Sequence, residues 1–208
     1  IDTSARLELY NTSASISRIT IASGTGSAHF YSDANASNAR LVNDNLLGFY
    51  DISSAGRASV LNNGNMFFFA DSTAGQARIS NTGRLNFLGH ADGGTATLIN
   101  APGATIDFSQ SAGAAGDGKL SVGVLTGDGT VFLGNNELTI HGGSGGFDFT
   151  GVIADGGSAG TTGASLVKAD DDTMTLRGRN TYTGPTTVRS GMLVAGGADV
   201  LRSSSALK

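Results

Sequence analysis

Residues 39–49 read ARLVNDNLLGF, and residues 58–68 and 77–87 read ASVLNNGNMFF and ARISNTGRLNF. Each stretch begins 19 residues after the previous one, and its first, third and fifth positions hold the same residue types. These three columns are Ala39, Ala58, Ala77 and Ala96; Leu41, Val60, Ile79 and Leu98; and Asn43, Asn62, Asn81 and Asn100. Apolar residues two apart point to one face of a strand, so each copy begins with a strand that has one interior face.

A second strand follows the Asn in each copy and ends in a column of phenylalanines with the same period. The members of this column are Phe30, Phe49, Phe68 and Phe87. Small residues such as those at positions 54–56 and 73–75 separate one copy from the next, which is typical of turns. Each copy therefore predicts a strand, an Asn-centred turn, a second strand and a small-residue turn.

A single unit of this length cannot bury its own apolar face, but stacked units bury each column against its own copies. The sequence therefore predicts an all-β fold, a right-handed parallel β-helix with about 19 residues per rung in residues 1–110 and irregular rungs in residues 111–208. At about 3.3 Å per residue, one rung has a perimeter of roughly 60 Å. A β-sandwich does not require equal rungs, and the pattern of leucine-rich repeats is absent.

The Asn column has two expected functions at the turn. Asn tolerates the left-handed backbone region, and stacked amides can hydrogen-bond from one rung to the next. The Phe column is expected to provide much of the buried apolar area.

Composition supports short strands and excludes several classes of protein. The 208 residues include 32 Gly and 2 Pro, and 39% are hydrophobic, which favours strands joined by tight turns with almost no helix. The net charge of −4 and the lack of a Lys/Arg run argue against nucleic-acid binding. There is no Cys, so disulfides and thiolate metal sites are excluded. The first residues do not form a signal peptide, and we expect the chain to be a piece of a longer protein.

Beyond residue 110 the strict period ends, although strand-like runs continue. They lie at residues 120–125, 131–133, 138–140, 147–153, 166–168, 174–176, 186–188 and 192–194. Gly-rich segments between them, at 134–136, 142–146 and 155–163, are expected to form turns or loops that leave the coil.

Residues 166–197 resemble the passenger-associated repeat of bacterial autotransporters. The residues that carry the resemblance are Lys168, Leu176, Asn180, Tyr182, Gly184, Val188 and Gly191. The segment departs from the family pattern at Asp170–Asp172, where a Gly-rich turn is usual, and at Pro185 and Met192. None of these departures breaks the strand pattern.

This resemblance implies a passenger fragment of a Gram-negative autotransporter. It implies a β-helix that is exported to the cell surface through a C-terminal outer-membrane β-barrel of the same precursor, with the repeat aiding folding and secretion. Many passengers act in adhesion or autoaggregation, so the expected partner is a host or matrix component or a second copy, and no nucleic acid. The alternative is the β-helical stalk of an exported protease, esterase or glycan-degrading enzyme whose catalytic part lies elsewhere.

No catalytic, cofactor or metal site is predicted, and the chain is not expected to be an enzyme. Ser144 and Ser158 lie in G-x-S-x-G matches, but a nucleophile elbow needs a strand, a turn and a helix, and no helix is expected. We interpret His29 and His90 as surface or turn residues, and only His141 is a further candidate base. Residues 170–172 could bind Ca²⁺ or cleave glycans, but we interpret them as a solvated turn.

The four tyrosines are candidates for a binding surface. Tyr31 and Tyr50 share the 19-residue spacing and should point away from the interior Phe column. We expect this exposed aromatic pair to be incidental, and Tyr10 and Tyr182 complete the set.

Overall fold

Short strands make up nearly all the regular structure of the chain. The computed structural model describes residues 2–3, 5–12, 17–143, 145–201 and 206. Its strands are β1 (Asp2–Thr3), β2 (Arg6–Tyr10), β3 (Arg18–Ile21), β4 (Ser27–Tyr31), β5 (Arg40–Asn43), β6 (Leu46–Phe49), β7 (Ser59–Asn62), β8 (Asn65–Phe68), β9 (Arg78–Asn81), β10 (Arg84–Gly89), β11 (Thr97–Asn100), β12 (Thr105–Ser111), β13 (Lys119–Val122), β14 (Val124–Gly127), β15 (Thr130–Phe132), β16 (Glu137–Ile140), β17 (Phe147–Phe149), β18 (Val152–Ala154), β19 (Ser165–Lys168), β20 (Thr173–Leu176), β21 (Thr186–Val188) and β22 (Met192–Ala195).

Three parallel sheets run along the molecule. Sheet 1 has the order β1-β3-β5-β7-β9-β11-β14-β17-β20-β22, sheet 2 the order β2-β4-β6-β8-β10-β12-β15-β18, and sheet 3 the order β13-β16-β19-β21. Each strand pairs with strands of the preceding and following rungs, so the chain forms a coil. The predicted parallel β-solenoid is confirmed. The right-handed sense of the coil stays a prediction.

The 19-residue period sets the pairing register in the first half. Asn43 pairs with Asn62 and Asn62 with Asn81, while Phe49 pairs with Phe68 and Phe68 with Phe87. A third side of the coil is held by isolated parallel bridges that join residues 35, 54, 73 and 92. The Ser121 hydroxyl, in the first strand of sheet 3, donates to the Asp92 carboxylate at 2.6 Å. Sheet 3 therefore continues this third side of the rod.

The interior is filled by like residues stacked over one another. Neighbouring rings in the column from Phe30 to Phe108 have centroids 4.3–4.9 Å apart, and every one of these rings is fully buried. Aliphatic residues such as Leu41 and Val60 form a second buried column, and alanines fill the corners where the sheets approach each other. Burial of these columns supplies the main free energy of folding.

The asparagine column lies inside the rod and forms a continuous amide ladder. The Nδ2 of Asn43 donates to Oδ1 of Asn62 at 2.6 Å, and the same bond joins Asn62 to Asn81 at 2.7 Å and Asn81 to Asn100 at 2.9 Å. Each of these Nδ2 groups also donates to a backbone carbonyl on the next rung. The buried amides are thus fully paired, which removes the cost of burying them.

The expectation that Asn supplies a left-handed backbone at the turn is wrong. These asparagines end their strands and have no positive φ, because their amides must point inward to form the ladder. Left-handed residues occur instead in two other corner columns with the same period: Ser32, Asp51, Ala70 and Gly89, and Ser37, Gly56, Gly75 and Gly94.

Two runs predicted as single strands are each divided between two sheets. Residues 120–125 split at Gly123 into β13 and β14, and residues 147–153 split at residues 150–151 into β17 and β18. Corners form there because glycine permits close stacking. A Cβ on Gly123 would lie 2.4 Å from the Thr95 carbonyl, and one on Gly151 would lie 2.0 Å from the Gly129 carbonyl. The described residues contain one short 3-10 helix, Gly157–Ala159, and no helix long and apolar enough to cross a membrane.

Replacing Phe68 with Ala removes one ring from the buried column and leaves a cavity between Phe49 and Phe87. We expect a loss of about 3–5 kcal/mol in the free energy of unfolding. The matched control is Phe67→Ala, because Phe67 points outward and is half-buried, and we expect this change to cost about 1 kcal/mol. Urea denaturation of both variants measures the difference. Equal costs would contradict the interior column.

Candidate functional site

The outward face of sheet 2 carries a second aromatic column, which we call the outer ladder. It consists of Tyr10, Tyr31, Tyr50 and Phe69, with ring centroids 4.9, 4.8 and 5.0 Å apart and interplanar angles of 13, 18 and 8°. Three of these residues directly follow an interior Phe, so alternation along the strand sends them outward. Tyr10 is 53% exposed and the other three are half-buried.

A histidine and a glycine of the neighbouring outward row hold the outer ladder in place. His29 Nδ1 lies 3.2 Å from the Tyr50 hydroxyl, and its ring lies 5.6 and 6.0 Å from the rings of Tyr50 and Tyr31. A Cβ on Gly48 would lie 2.5 Å from the Tyr50 ring, so glycine allows that ring to lie across the strand. The Arg6 guanidinium donates to the Tyr31 hydroxyl at 2.9 Å.

One expectation about these residues is wrong. His29 was expected at the surface, but it lies in β4 with 5% of its surface exposed, because the tyrosine rings cover it. Burial lowers the pKa of His29, and the positive charge of Arg6 lowers it further. The Tyr31–Tyr50 pair is the centre of a stack of four rings, and the expectation that this pair is incidental stays a prediction. The sequence signal that was missed is Phe69, which lies 19 residues after Tyr50.

Three exposed carboxylates lie directly beside the outer ladder, at the corner that follows sheet 2. They belong to Asp33, Asp51 and Asp71, and we call this group the acidic corner. The Asp51 carboxylate accepts from the Ser32 backbone N–H at 2.8 Å, and Asp71 pairs with His90 at 3.0 Å. Ile52, which lies between Asp33 and Asp71 in this column, is 63% exposed. The surface next to the outer ladder is thus both negative and apolar.

At the other end of the rod, polar residues of the 166–197 segment join successive rungs. Asn180 is buried: its Oδ1 accepts from the Ile153 N–H at 2.8 Å, and its Nδ2 donates to the Val200 carbonyl at 3.0 Å. Lys168 is fully buried, and its Nζ pairs with the Asp170 carboxylate and donates to the Asp170 and Ser190 carbonyls at 2.7 and 3.2 Å.

The other matched residues of this segment fill space or allow close contact between rungs. Leu176 and Tyr182 are buried, and the Tyr182 hydroxyl lies 2.6 Å from the Thr186 hydroxyl. Burial raises the pKa of Tyr182. Tyr182 was a candidate for a binding surface, but its side chain is buried and is not part of one. A Cβ on Gly184 would lie 2.5 Å from a carbonyl of the previous rung. Val188 pairs with Lys168, and Gly191 has a φ of 66°.

Comparison with known proteins identifies this rung-joining segment. Residues 166–195 match the passenger-associated-transport-repeat family. The recognition made from the sequence is confirmed, and the motif residues lie in and between the last four strands, β19–β22. No curated protein and no solved structure gives a significant match. The passenger repeat and the β-solenoid together fit a fragment of an autotransporter passenger.

Of the two serines in G-x-S-x-G matches, the structure describes only Ser158. Ser144 lies outside the described residues. Ser158 lies in the loop 155–163, and its hydroxyl and N–H donate to the Asp107 carboxylate at 2.7 and 2.8 Å. Ala159 N–H donates to the Ser109 hydroxyl at 3.0 Å. These bonds fasten the loop to the outer face of sheet 2, and no pattern along the chain had indicated a role for Asp107.

The acidic run at residues 170–172 is only partly solvated. Asp170 is largely buried because it neutralises Lys168, so the expectation of a solvated turn is wrong for this residue. Asp171 bonds with the Ser190 hydroxyl, and Asp172 accepts from the Gly145 N–H at 3.2 Å. Within the part of the chain that is described, no three His, Cys, Asp or Glu side chains are placed to hold a metal ion. His90 is exposed, as expected, and His141 is exposed as well.

Replacing Asn180 with Ala should weaken the passenger repeat, because the Ile153 N–H and the Val200 carbonyl would be buried without partners. We expect a loss of about 1–3 kcal/mol in the free energy of unfolding. The neighbouring exposed Thr181 gives the control Thr181→Ala, for which we expect a change within about 0.5 kcal/mol. Chemical denaturation checks this, and an unchanged stability of the Asn180 variant would contradict the bridging role.

The loop 155–163 should loosen at low pH. Burial raises the pKa of Asp107, but bonds from Ser109 and Ser158 outweigh burial, so the pKa lies below its usual value. A depressed folded-state pKa gives stability that is full above the unfolded pKa of about 3.9 and is lost as the pH falls through the folded pKa. Hydrogen exchange at the Ser158 and Ala159 amides, corrected for intrinsic rates, should show faster opening below about pH 4. In Asp107→Asn, opening should be faster at neutral pH and should lose this pH dependence. A wild-type pH profile in that variant would contradict the assignment.

Proposed function

We propose that this chain is a surface-exposed segment of an exported autotransporter passenger that mediates adhesion or self-association through its lateral face. The observation that carries this proposal is the outer ladder. Four stacked aromatic side chains face outward on a rigid sheet in a molecule whose other aromatic column is fully buried. A cluster of apolar side chains that face solvent, one exposed and three half-buried, is typical of an interaction surface.

The outer ladder suits contacts that are repeated along a rod. Tyr31 and Tyr50 are each held by a ring on the rung above and one on the rung below, so these two side chains have little entropy left to lose when a partner binds. Tyrosines offer an apolar edge and a hydroxyl together, which allows both hydrophobic contact and hydrogen bonding. A row of such groups gives multivalent attachment, whose strength exceeds that of a single contact. The partner is a host or matrix component or a second copy of the chain.

The passenger repeat supports export as the second part of the proposal. Its buried hydrogen bonds, from Lys168 and Asn180, join each rung to the next. One completed rung therefore presents hydrogen-bonding partners for the residues of the following rung. The formation of such rungs outside the cell would favour outward movement of the chain without energy from nucleotide hydrolysis. The partner in this process would be the C-terminal outer-membrane β-barrel of the same precursor, and the location would be the bacterial cell surface.

The prediction that the chain is not an enzyme stays a prediction. An exported enzyme whose catalytic part lies elsewhere would use the same stalk. A screen for peptidase, esterase and glycan hydrolysis activity on the full-length exported protein separates the two functions, and hydrolysis above background would favour the enzyme.

Removal of the outer ladder should reduce adhesion while leaving the fold intact. The test variant combines Tyr31→Ser, Tyr50→Ser and Phe69→Ser in the producing bacterium. Settling of static cultures and binding to immobilised matrix should fall by about tenfold, because multivalent contacts are lost together. The control combines Val152→Ser and Val194→Ser, which are half-buried outward residues of distant strands.

Thermal unfolding of the purified chains shows whether each variant still folds. If the triple variant is folded and displayed at the surface, yet settles and binds like the wild type, the outer ladder is not the adhesive surface.

A further inference from the structure

Two carboxylates of the acidic corner are separated by two rungs. Asp33 and Asp71 lie 38 residues apart, in the part of the chain where parallel bridges join residues 35, 54 and 73 in register. Because adjacent rungs are about 4.8 Å apart, their backbones are separated by about 9.6 Å along the rod. Both residues are exposed, and Ile52 lies between them. The outer ladder runs alongside.

Two arginines on sheet 1 have the same separation. Arg40 pairs with Ser59 and Ser59 with Arg78, so the two arginines also lie two rungs apart. Both are exposed, and neither has a carboxylate within 4 Å among the described residues. We call this pair the arginine row. The next outward row of sheet 1 includes the aliphatic residues Val42 and Leu61, both half-buried, with Thr20 and Ser80 on the rungs to either side.

The acidic corner and the arginine row cannot meet within one molecule. The third side of the rod separates them: residues 34–39 lie between Asp33 and Arg40, and residues 72–77 lie between Asp71 and Arg78. Two rods side by side have no such barrier. Their rungs have the same spacing, so if one carboxylate meets one arginine, the second pair is aligned as well. Each charged row also has an apolar row beside it: the outer ladder on one rod, and Val42 with Leu61 on the other.

We propose that the acidic corner of one copy binds the arginine row of a second copy, with the outer ladder packed near the aliphatic row of sheet 1. This proposal rests on the proposed self-association and names the two surfaces that form it. The partner is a second copy because this chain carries both surfaces. Their charges are opposite, their charged residues have the same rung spacing, and each has apolar residues beside it. The contact joins two different surfaces, so each rod keeps one surface of each kind free and assembly is open-ended.

The test uses charge exchange on the 208-residue chain, followed by sedimentation velocity at low and high salt. One variant carries Arg40→Glu with Arg78→Glu, and the other carries Asp33→Lys with Asp71→Lys. Each variant alone places like charges at the contact, so we expect its association to weaken by at least about tenfold. An equimolar mixture places Glu opposite Lys and should regain wild-type association. Salt should weaken wild-type assembly, since exposed charges are screened.

The control exchanges charges elsewhere, with Arg189→Glu and Asp128→Lys, and should associate like the wild type. Circular dichroism confirms that each variant folds. If the wild type assembles but the mixture stays monomeric, or if either variant assembles like the wild type, this pairing is wrong while self-association stands. If the wild type is monomeric at every concentration, self-association fails together with the pairing.

Discussion

Stacking of like side chains at the spacing of parallel strands is the constraint on which this structure depends. Every residue of a rung lies about 4.8 Å from its equivalent on the next rung, so whatever occupies a position must tolerate its own copy above and below. Phenylalanine meets this condition by ring stacking, asparagine by amide bonds, and glycine by allowing backbones to approach. The buried Phe column and the buried Asn ladder are two solutions to the same geometric problem.

The same constraint shapes the exterior. Residues that follow the interior phenylalanines point outward, and because the period holds, they form a column as regular as the one inside. The outer ladder is therefore a consequence of the repeat combined with aromatic residues at an outward position. Charges obey the rule too: the acidic corner and the arginine row are columns, and their spacing is fixed by the rungs. A solenoid thus converts a short sequence motif into a long surface of constant pitch.

The second half of the chain keeps the stacking but loses the period. Between Asn100 and Leu176 the paired positions of sheet 1 are 22 to 27 residues apart, and much of the extra length lies in the segments 112–118 and 155–164 between sheets 2 and 3. In the passenger repeat, buried polar residues take over from long apolar columns. Lys168 with Asp170, and Asn180 with two backbone partners, connect rungs by directed bonds. Such bonds specify which rung follows which, whereas apolar columns tolerate slippage.

The sequence by itself determined the solenoid, its 19-residue rung, the interior Phe and Asn columns and the passenger repeat. All of these follow from residue identity at fixed spacing, which can be read directly from the sequence. Tertiary structure alone decided where the irregular strands divide, because a corner depends on which backbone lies opposite a glycine in the neighbouring rung. It also decided the burial of His29, Lys168 and Tyr182 and the attachment of the loop 155–163 to Asp107. The contacts of His29 with Tyr50, of Lys168 with Ser190 and of Ser158 with Asp107 join residues 21 to 51 positions apart with no shared period, so no pattern along the chain records them.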